Sequence, residues 1–194
     1  DGSKFKHAPV GHKGTSLEVA TIIVTADKKN IEMARECAQS QGIFVREVVS
    51  APMASAYGVT NETEREQGVA VVDIGSGLTD LIVFRGGQAE FVSTIPVGGL
   101  NFTQDLAVGL RTPQSAAETI KKTQGSALID MVSAEDSVEV PSLKGEEPRL
   151  FSKQFVCEIL EARAEETLGL ILKKLNDENL LFHLEAGVFL TGGG

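Results

Sequence analysis

The sequence predicts an α/β protein, because apolar runs typical of strands alternate with segments of helical periodicity. Two continuous apolar runs, at 68–74 and 80–84, are typical of strands buried on both faces of a sheet. A glycine pair after the second run predicts a hairpin turn into a third strand at 88–97. Apolar side chains then recur with helical spacing from 151 to 176, which predicts a long helix with one buried face.

The N-terminal part of the chain predicts one strand–helix–strand unit. Residues 17–26 and 43–50 are rich in β-branched residues and are predicted as strands. Between them, Asp27 is a candidate N-cap for a helix that Gly42 ends. Both strands are expected to join one sheet.

Shorter elements complete the predicted secondary structure. Pro52, in a first-turn position, begins a small apolar helix over 51–58, which Gly58 is expected to end. The acidic run 61–67 is interpreted as a solvated turn, the usual role of a charge run. The other predicted elements are helices at 101–110 and 114–124, short strand and loop structure at 137–149, and a final strand within 186–194 that runs into glycines.

The composition limits the classes of function. Of the 194 residues, 42% are apolar and 23% are charged, so a disordered or collagen-like protein is excluded. The 18 basic and 27 acidic residues give a net charge of −9, which argues against a nucleic-acid partner because phosphate binding needs a basic surface. Cys37 and Cys157 indicate a reduced protein in which both are small buried apolar residues. No apolar run approaches the ~18 residues that a membrane-spanning helix needs.

The segment with the most chemical information follows the first buried strand. That strand delivers Asp73, and the Gly-Ser-Gly sequence at 75–77 lets successive backbone N–H groups point at one anion. Asp73 and Asp80 flank this turn, and carboxylate oxygens suit Mg²⁺ shared with phosphate. A tight strand connection capped by an aspartate is the alternative. A dinucleotide fingerprint is excluded because a strand rather than a helix follows, and no Walker-type phosphate loop occurs.

Two glycine motifs carry a resemblance to a known superfamily. DIGSGLTDLIVF at 73–84 resembles the second phosphate loop of the actin-like ATPases, and LTGGG at 190–194 resembles their adenosine loop. Within that superfamily the chain most resembles the FtsA family, bacterial actin-like cell division proteins that anchor the tubulin-like FtsZ ring to the membrane. Supporting segments include IPVGGLNFTQDLAVGLRTPQSAAETIKK and DSVEVPSLKGEEPR, and the likeness spans essentially the whole chain.

The resemblance implies an incomplete actin-like (ribonuclease H-like) fold in three parts. Residues 1–49 would be part of an extra subdomain, 1C, which contacts neighbouring protomers and other division proteins. Residues 50–97 and 178–194 would form the nucleotide-binding core subdomain 2A, and residues 98–177 would form subdomain 2B. The family's first phosphate loop and its C-terminal amphipathic membrane helix are absent, and the chain starts at Asp1 rather than Met, so a fragment is expected.

The resemblance also implies a site for ATP and Mg²⁺. Asp73 would position a magnesium-bound water, and Glu118 with Lys121, on one face of a predicted helix, would hold the ribose and the adenine edge. The two glycine bends are expected to face each other across one crevice. The other residues implied in nucleotide binding are Gly75, Ser76, Gly77, Thr79, Asp80, Gly192, Gly193 and Gly194.

A nucleotide-regulated scaffold, rather than a fast enzyme, is the implied function. Ala51 precedes Pro52, where hydrolysing relatives often carry an acidic residue, so slow turnover or none is expected. One alternative is an ATP-dependent phosphotransferase or chaperone, which would need an acid or base that 50–58 lacks. Another is a pilus-assembly relative, which should lack the GLRTP and SVEVPS segments.

The implied partners are proteins and a membrane. The acidic C-terminal tail of FtsZ would dock on basic residues of subdomain 2B, namely Arg149, Lys153 and Arg163, with Arg163 as the strongest candidate. An exposed helix arginine can also be only a solvated charge. The intact protein is expected to polymerise, to bind other division proteins through 1C, and to lie on the cytoplasmic face of the membrane at the division site.

Overall fold

The computed structural model describes residues 5, 10–19, 21–143 and 147–194. The helices are α1 (Lys28–Ser40), α2 (Ala51–Val59), α3 (Glu62–Gln67), α4 (Gly99–Leu110), α5 (Gln114–Gln124) and α6 (Lys153–Asp177). The strands are β1 (Val69–Ile74), β2 (Thr79–Arg85), β3 (Gln88–Ile95), β4 (Ser137–Val140), β5 (Arg149–Ser152) and β6 (Val188–Thr191). Two short 3-10 helices lie at Ile129–Met131 and Leu181–His183.

Four of these strands form the central sheet, in the order β3-β2-β1-β6. β1, β2 and β3 are antiparallel neighbours, which confirms the predicted hairpin, and β6 lies parallel to β1 on its other side. Because parallel neighbours end at the same edge of a sheet, the glycine segments that follow β1 and β6 come close together. β4 and β5 form a separate antiparallel ribbon.

Both faces of the sheet are covered, as the continuous apolar runs predicted. Successive side chains of β1 point to opposite faces and enter two different cores. On one face, Val72 packs in a cluster with Ile171 and Leu175 of α6. On the other face, Phe84 of β2 packs in a cluster with Ala56 of α2.

A third core lies outside the sheet and joins α4, α5, the β4-β5 ribbon and the first half of α6. Leu106 and Leu110 of α4 pack there with Val156 and Leu160 of α6. The apolar stripe of α6 is therefore confirmed as a core face, and it is shared between two cores. This helix holds the α4–α5 unit at a fixed place beside the sheet.

The strands predicted at 17–26 and 43–50 are wrong, because the described residues of both runs form no strand. Their side chains are largely exposed to solvent, with Ile23 80% exposed and Phe44 86% exposed. A strand is stable only when another strand pairs with it, and no described segment pairs with either run. Composition alone was therefore an insufficient signal.

Local capping signals decide the starts of two helices, whereas a predicted stop signal does not end a third. The backbone N–H of Asn30 donates to Asp27 Oδ1 at 3.1 Å, which confirms the predicted cap of α1. The acidic run is not a turn but helix α3, because Asn61 and Glu64 form a reciprocal capping box. Helix α2 continues past Gly58 to its next residue. A single glycine costs a helix only ~1 kcal/mol relative to alanine, so Gly58 does not end it.

The two cysteines, both predicted to be buried, differ in their exposure to solvent. Cys157 on α6 is buried as predicted, whereas Cys37 is exposed because α1 buries none of its residues. Over the ranges that the structure describes, none of the helices combines enough length and apolar character to cross a membrane.

Replacement of a sheet residue should test the packing of the central core. Phe84 is 1% exposed, so Phe84→Ala should lower the free energy of unfolding by ~3–5 kcal/mol through lost burial and cavity formation. Phe44→Ala is the matched control, since Phe44 is 86% exposed and its loss should cost under ~0.5 kcal/mol. Urea denaturation followed by circular dichroism measures both, and equal losses would contradict this core assignment.

Candidate functional site

The candidate site is built where three backbone segments meet directly. The segment 74–76 consists of the last residue of β1 and the two residues after it. The segment 98–99 begins α4, and the segment 192–194 follows β6. Backbone hydrogen bonds tie both of the other segments to 74–76, so the first turn of α4 is fixed to the loop after β1. These bonds run from Gly99 N–H to Gly75 O (2.9 Å), from Leu100 N–H to Ser76 O (2.7 Å) and from Gly194 N–H to Ile74 O (2.8 Å).

Side chains are excluded from most of this junction. A Cβ atom would lie 2.5 Å from Gly75 O if placed on Gly98, and 2.2 Å from the same oxygen if placed on Gly194. Gly192 has φ +105°, and a Cβ there would lie 2.2 Å from the last carbonyl oxygen of β1. Gly193 differs, because a Cβ there would meet nothing within 4 Å. Within the glycine run 192–194, the first and last glycines therefore pack against backbone, whereas the middle one faces open space.

A pocket of about 450 Å³ opens beside the junction, between α4 and α5. This volume lies within the ~300–1,000 Å³ that is typical of small-molecule sites. Its lining combines backbone of the glycine segments with polar side chains of the two helices. The lining residues are Ser76, Gly99, Leu100, Thr103, Gln114, Ser115, Glu118, Lys121, Lys122, Gly193 and Gly194.

A charged network occupies the helical side of the pocket. The Glu118 carboxylate accepts hydrogen bonds from the Thr103 hydroxyl and, at 2.9 Å each, from the ammonium groups of Lys121 and Lys122. Lys121 Nζ also donates to Thr103 Oγ1 at 2.9 Å and to Gly99 O at 3.0 Å. The hydrogen bond from Thr103, followed by those from the two lysines, lowers the pKa of Glu118 to about 2. The site therefore presents an ionised carboxylate beside an ammonium group at neutral pH.

Asp73 lies at the end of β1, next to the glycine junction. Its Oδ2 atom accepts a hydrogen bond from the hydroxyl of Ser55 on α2, and a Cβ on Gly192 would lie 2.7 Å from its Oδ1 atom. Among the residues that the structure describes, no group of three or more His, Cys, Asp or Glu side chains could hold a metal ion. A single carboxylate does fit Mg²⁺ that is bound mainly by water and phosphate oxygens.

The structure brings together most of the residues predicted from the glycine motifs and the α5 pair. Five of them line the pocket, and Gly75 and Gly192 form the junction behind it. Gly77 is exposed, with open space around it. The five lining residues are Ser76, Glu118, Lys121, Gly193 and Gly194.

Two predicted residues have other contacts. The Thr79 hydroxyl is fully buried and donates to Val97 O at 2.8 Å. Asp80 accepts a hydrogen bond from Thr94 at 2.5 Å. Neither residue lines the pocket.

The glycine bends also differ from the expected arrangement. They touch each other and form one side of the pocket, whereas the polar residues on the other side come from α4 and α5. Sequence reasoning missed Thr103, Gln114, Ser115 and Lys122 on those helices. The Gly98-Gly99 pair at the start of α4 was the one local signal of a close backbone approach.

The three basic residues predicted to bind a partner are all engaged within the chain. Arg149 Nη2 donates to Leu110 O at 2.6 Å. Lys153 forms a longer ion pair of 3.8 Å with Asp136. Arg163 pairs with Asp105 and Glu166, and its side chain is 18% exposed. The hydrogen bond with Asp105 raises the pKa of the Arg163 guanidinium.

Comparison with known proteins identifies relatives of this chain by sequence. Residues 70–193 match the sequence model of the family described as Cell division protein FtsA. The chain is 37% identical over 192 residues to Cell division protein FtsA of Escherichia coli K12. This alignment covers 95% of the chain and 46% of that relative. It is 34% identical over 193 residues to the Pseudomonas aeruginosa protein of the same name, covering 100% of this chain and 46% of the relative. The chain thus spans under half the length of these relatives.

A solved structure extends the likeness to the fold. The crystal structure of MreB5 of Spiroplasma citri bound to ADP superposes with a TM-score of 0.69 and 22% identity. The match covers 87% of this chain and 55% of that one. The actin-like ATPase fold predicted from the sequence is therefore confirmed, and this chain carries a part of it.

Substitution within the glycine run should separate its packing positions from its open one. Gly192→Ala places a Cβ against backbone at positive φ, so it should lower the free energy of unfolding by more than ~1 kcal/mol. Gly193→Ala, the control, meets open space and should change it by under ~0.5 kcal/mol. Urea denaturation measures both, and equal stability of the two variants would contradict the described junction.

Proposed function

Because this chain belongs to the FtsA family of cell division proteins, we propose that its pocket binds an adenine nucleotide and that the intact protein is a nucleotide-regulated division scaffold. The observation that carries the proposal is the direct contact of two glycine segments beside a pocket with a charged network. MreB5, which shares the fold, has been crystallised with ADP. Glycine segments that allow close backbone approach are a common means of accommodating phosphate groups.

The helical side of the pocket suits the ribose and base. Glu118 is held as a carboxylate, which only accepts hydrogen bonds, so it can receive them from ribose hydroxyl groups. Lys121 lies beside it with its ammonium group fixed by Gly99 O. These two residues would hold the ribose and the adenine edge, as the family resemblance implies.

The glycine side of the pocket suits the phosphates. Ser76 and Gly77 are exposed at the turn after β1, and we assign them with Gly193 to the phosphate and nucleotide contacts. Asp73, oriented by Ser55, would hold Mg²⁺ through water. Magnesium bound there neutralises phosphate charge. Thr79 and Asp80 would act indirectly by holding the turn.

Turnover should be slow in this arrangement. Efficient hydrolysis requires a residue that orients the attacking water as well as groups that position the phosphates. Ala51 occupies the position before Pro52, and the side chain of α2 that contacts Asp73 is the hydroxyl of Ser55. We therefore assign the nucleotide a regulatory role more than an energetic one.

The core clusters support a division into subdomains. The sheet clusters consist of residues of 50–97 and 178–194 together with the end of α6 (Leu170, Ile171 and Leu175), whereas the third cluster lies within 98–177. We propose 50–97 and 178–194 as core subdomain 2A, 98–177 as 2B, and residues 1–49 as part of 1C. In the intact protein these would support polymerisation, contacts with other division proteins, and a position on the cytoplasmic face of the membrane.

Nucleotide binding is testable in the full-length protein. Asp73→Ala removes the carboxylate proposed for Mg²⁺, and Gly193→Val fills open space at the pocket. Each should weaken MgATP binding at least tenfold, about 1.4 kcal/mol, in calorimetric titrations. Gly169→Val, on the exposed face of α6, is the matched control and should leave affinity unchanged. Unchanged MgATP affinity in both site variants would show that the nucleotide does not bind in this pocket.

The acidic tail of FtsZ is the partner that we propose for the basic residues of 98–177. The ion pair of Lys153 is longer than those of Arg163, and the Arg163 side chain is less exposed than that of Lys153, at 18% against 27%. Arg163→Gln and Lys153→Gln should each weaken binding of an FtsZ tail peptide severalfold without changing ATP affinity, because one charge pair with the peptide is lost. Lys173→Gln, exposed on the same helix, is the control. Equal peptide affinity in all variants would move this interface elsewhere.

A further inference from the structure

Thr103 is a pocket residue whose hydroxyl joins the two charged side chains of α5. We propose that Thr103 is a positioning residue that holds the Glu118 carboxylate in the orientation in which it accepts hydrogen bonds from a ribose. This inference rests on the proposed nucleotide function of the pocket. It assigns a role in ligand recognition to a residue of α4, which lies outside both glycine motifs.

A single hydroxyl makes both contacts. Thr103 is 1% exposed, and its Oγ1 atom donates to Glu118 Oε2, with Gly99 O at 3.2 Å as a second acceptor, while it accepts from Lys121 Nζ at 2.9 Å. A hydroxyl has one proton to donate and lone pairs to accept with, so both contacts can form together. The positions of the anion and the cation are thus set by the same buried atom.

The glycine junction fixes where that atom lies. Thr103 stands one turn after Gly99, whose N–H donates to Gly75 O at 2.9 Å. Lys121 Nζ also donates to the carbonyl of Gly99 at 3.0 Å. The loop after β1 therefore places the start of α4, and α4 places the charged pair on α5.

The contact of Glu118 with Lys122 is less rigid than its contact with Thr103. Lys122 pairs with its other oxygen, but the Lys122 side chain is 68% exposed and carries four flexible methylene groups. Threonine is β-branched and has a restricted side-chain rotamer. Without the hydroxyl, two long lysines would be left to orient the carboxylate.

The test uses the full-length protein with Thr103→Val, Thr103→Ser and two ligands. Thr103→Val should weaken MgATP binding about tenfold, because a hydrogen bond to a charged group is lost. Affinity for inorganic triphosphate, which has no ribose, should not change. Thr103→Ser keeps the hydroxyl and should bind ATP within about twofold of the unaltered protein. Thr103→Ala is a second hydroxyl-free variant if valine prevents folding.

A second measurement does not need nucleotide. Titration of the Glu118 carboxyl carbon by NMR should give a pKa of about 2 in the unaltered protein and a higher pKa in Thr103→Val.

The outcomes separate this inference from the function on which it rests. Unaltered protein that fails to bind MgATP would refute the proposed function. If the unaltered protein binds, unchanged ATP affinity and an unchanged Glu118 pKa in the hydroxyl-free variants would overturn the role of Thr103. Equal losses for ATP and inorganic triphosphate would also overturn it, since they would indicate a general structural defect.

Discussion

The close approach of three glycine-containing backbone segments is the constraint on which the site depends. Carbonyl oxygens of Ile74 and Gly75 occupy the space where side chains of 98, 192 and 194 would otherwise lie. The contact is possible because β6 pairs in parallel with β1, so that both glycine segments leave the same edge of the sheet. It also fixes the start of α4 and thereby one side of the pocket.

Packing around the junction keeps this geometry in place. The sheet is buried on both faces, so the ends of its strands have little freedom to shift. Helix α6 contributes one end to the sheet core and the other to the core of α4 and α5. A single long helix therefore links the two sides of the pocket, and relative movement of these sides would require repacking of α6.

Much of the fold and about half of the pocket could be predicted from the sequence. Continuous apolar runs identified β1 and β2, and glycine motifs identified Ser76 and Gly193, because these signals are local. Thr103 gave no such signal, since its meeting with Glu118 depends on how α4 packs against α5. Residues 17–26 show the opposite error: their β-branched composition predicted a strand, but no described strand pairs with them. The Asn61–Glu64 capping box was readable but was outweighed by the acidic character of its run.

Photoaffinity labelling of the intact protein tests the central claim most directly. An azido-adenosine triphosphate should attach to peptides from 98–124, which include the α4 and α5 residues of the pocket, and excess ATP should prevent the attachment. Peptide mapping by mass spectrometry locates the adduct. Labelling that ATP suppresses but that lies wholly outside 98–124 and the glycine segments would contradict the proposed site.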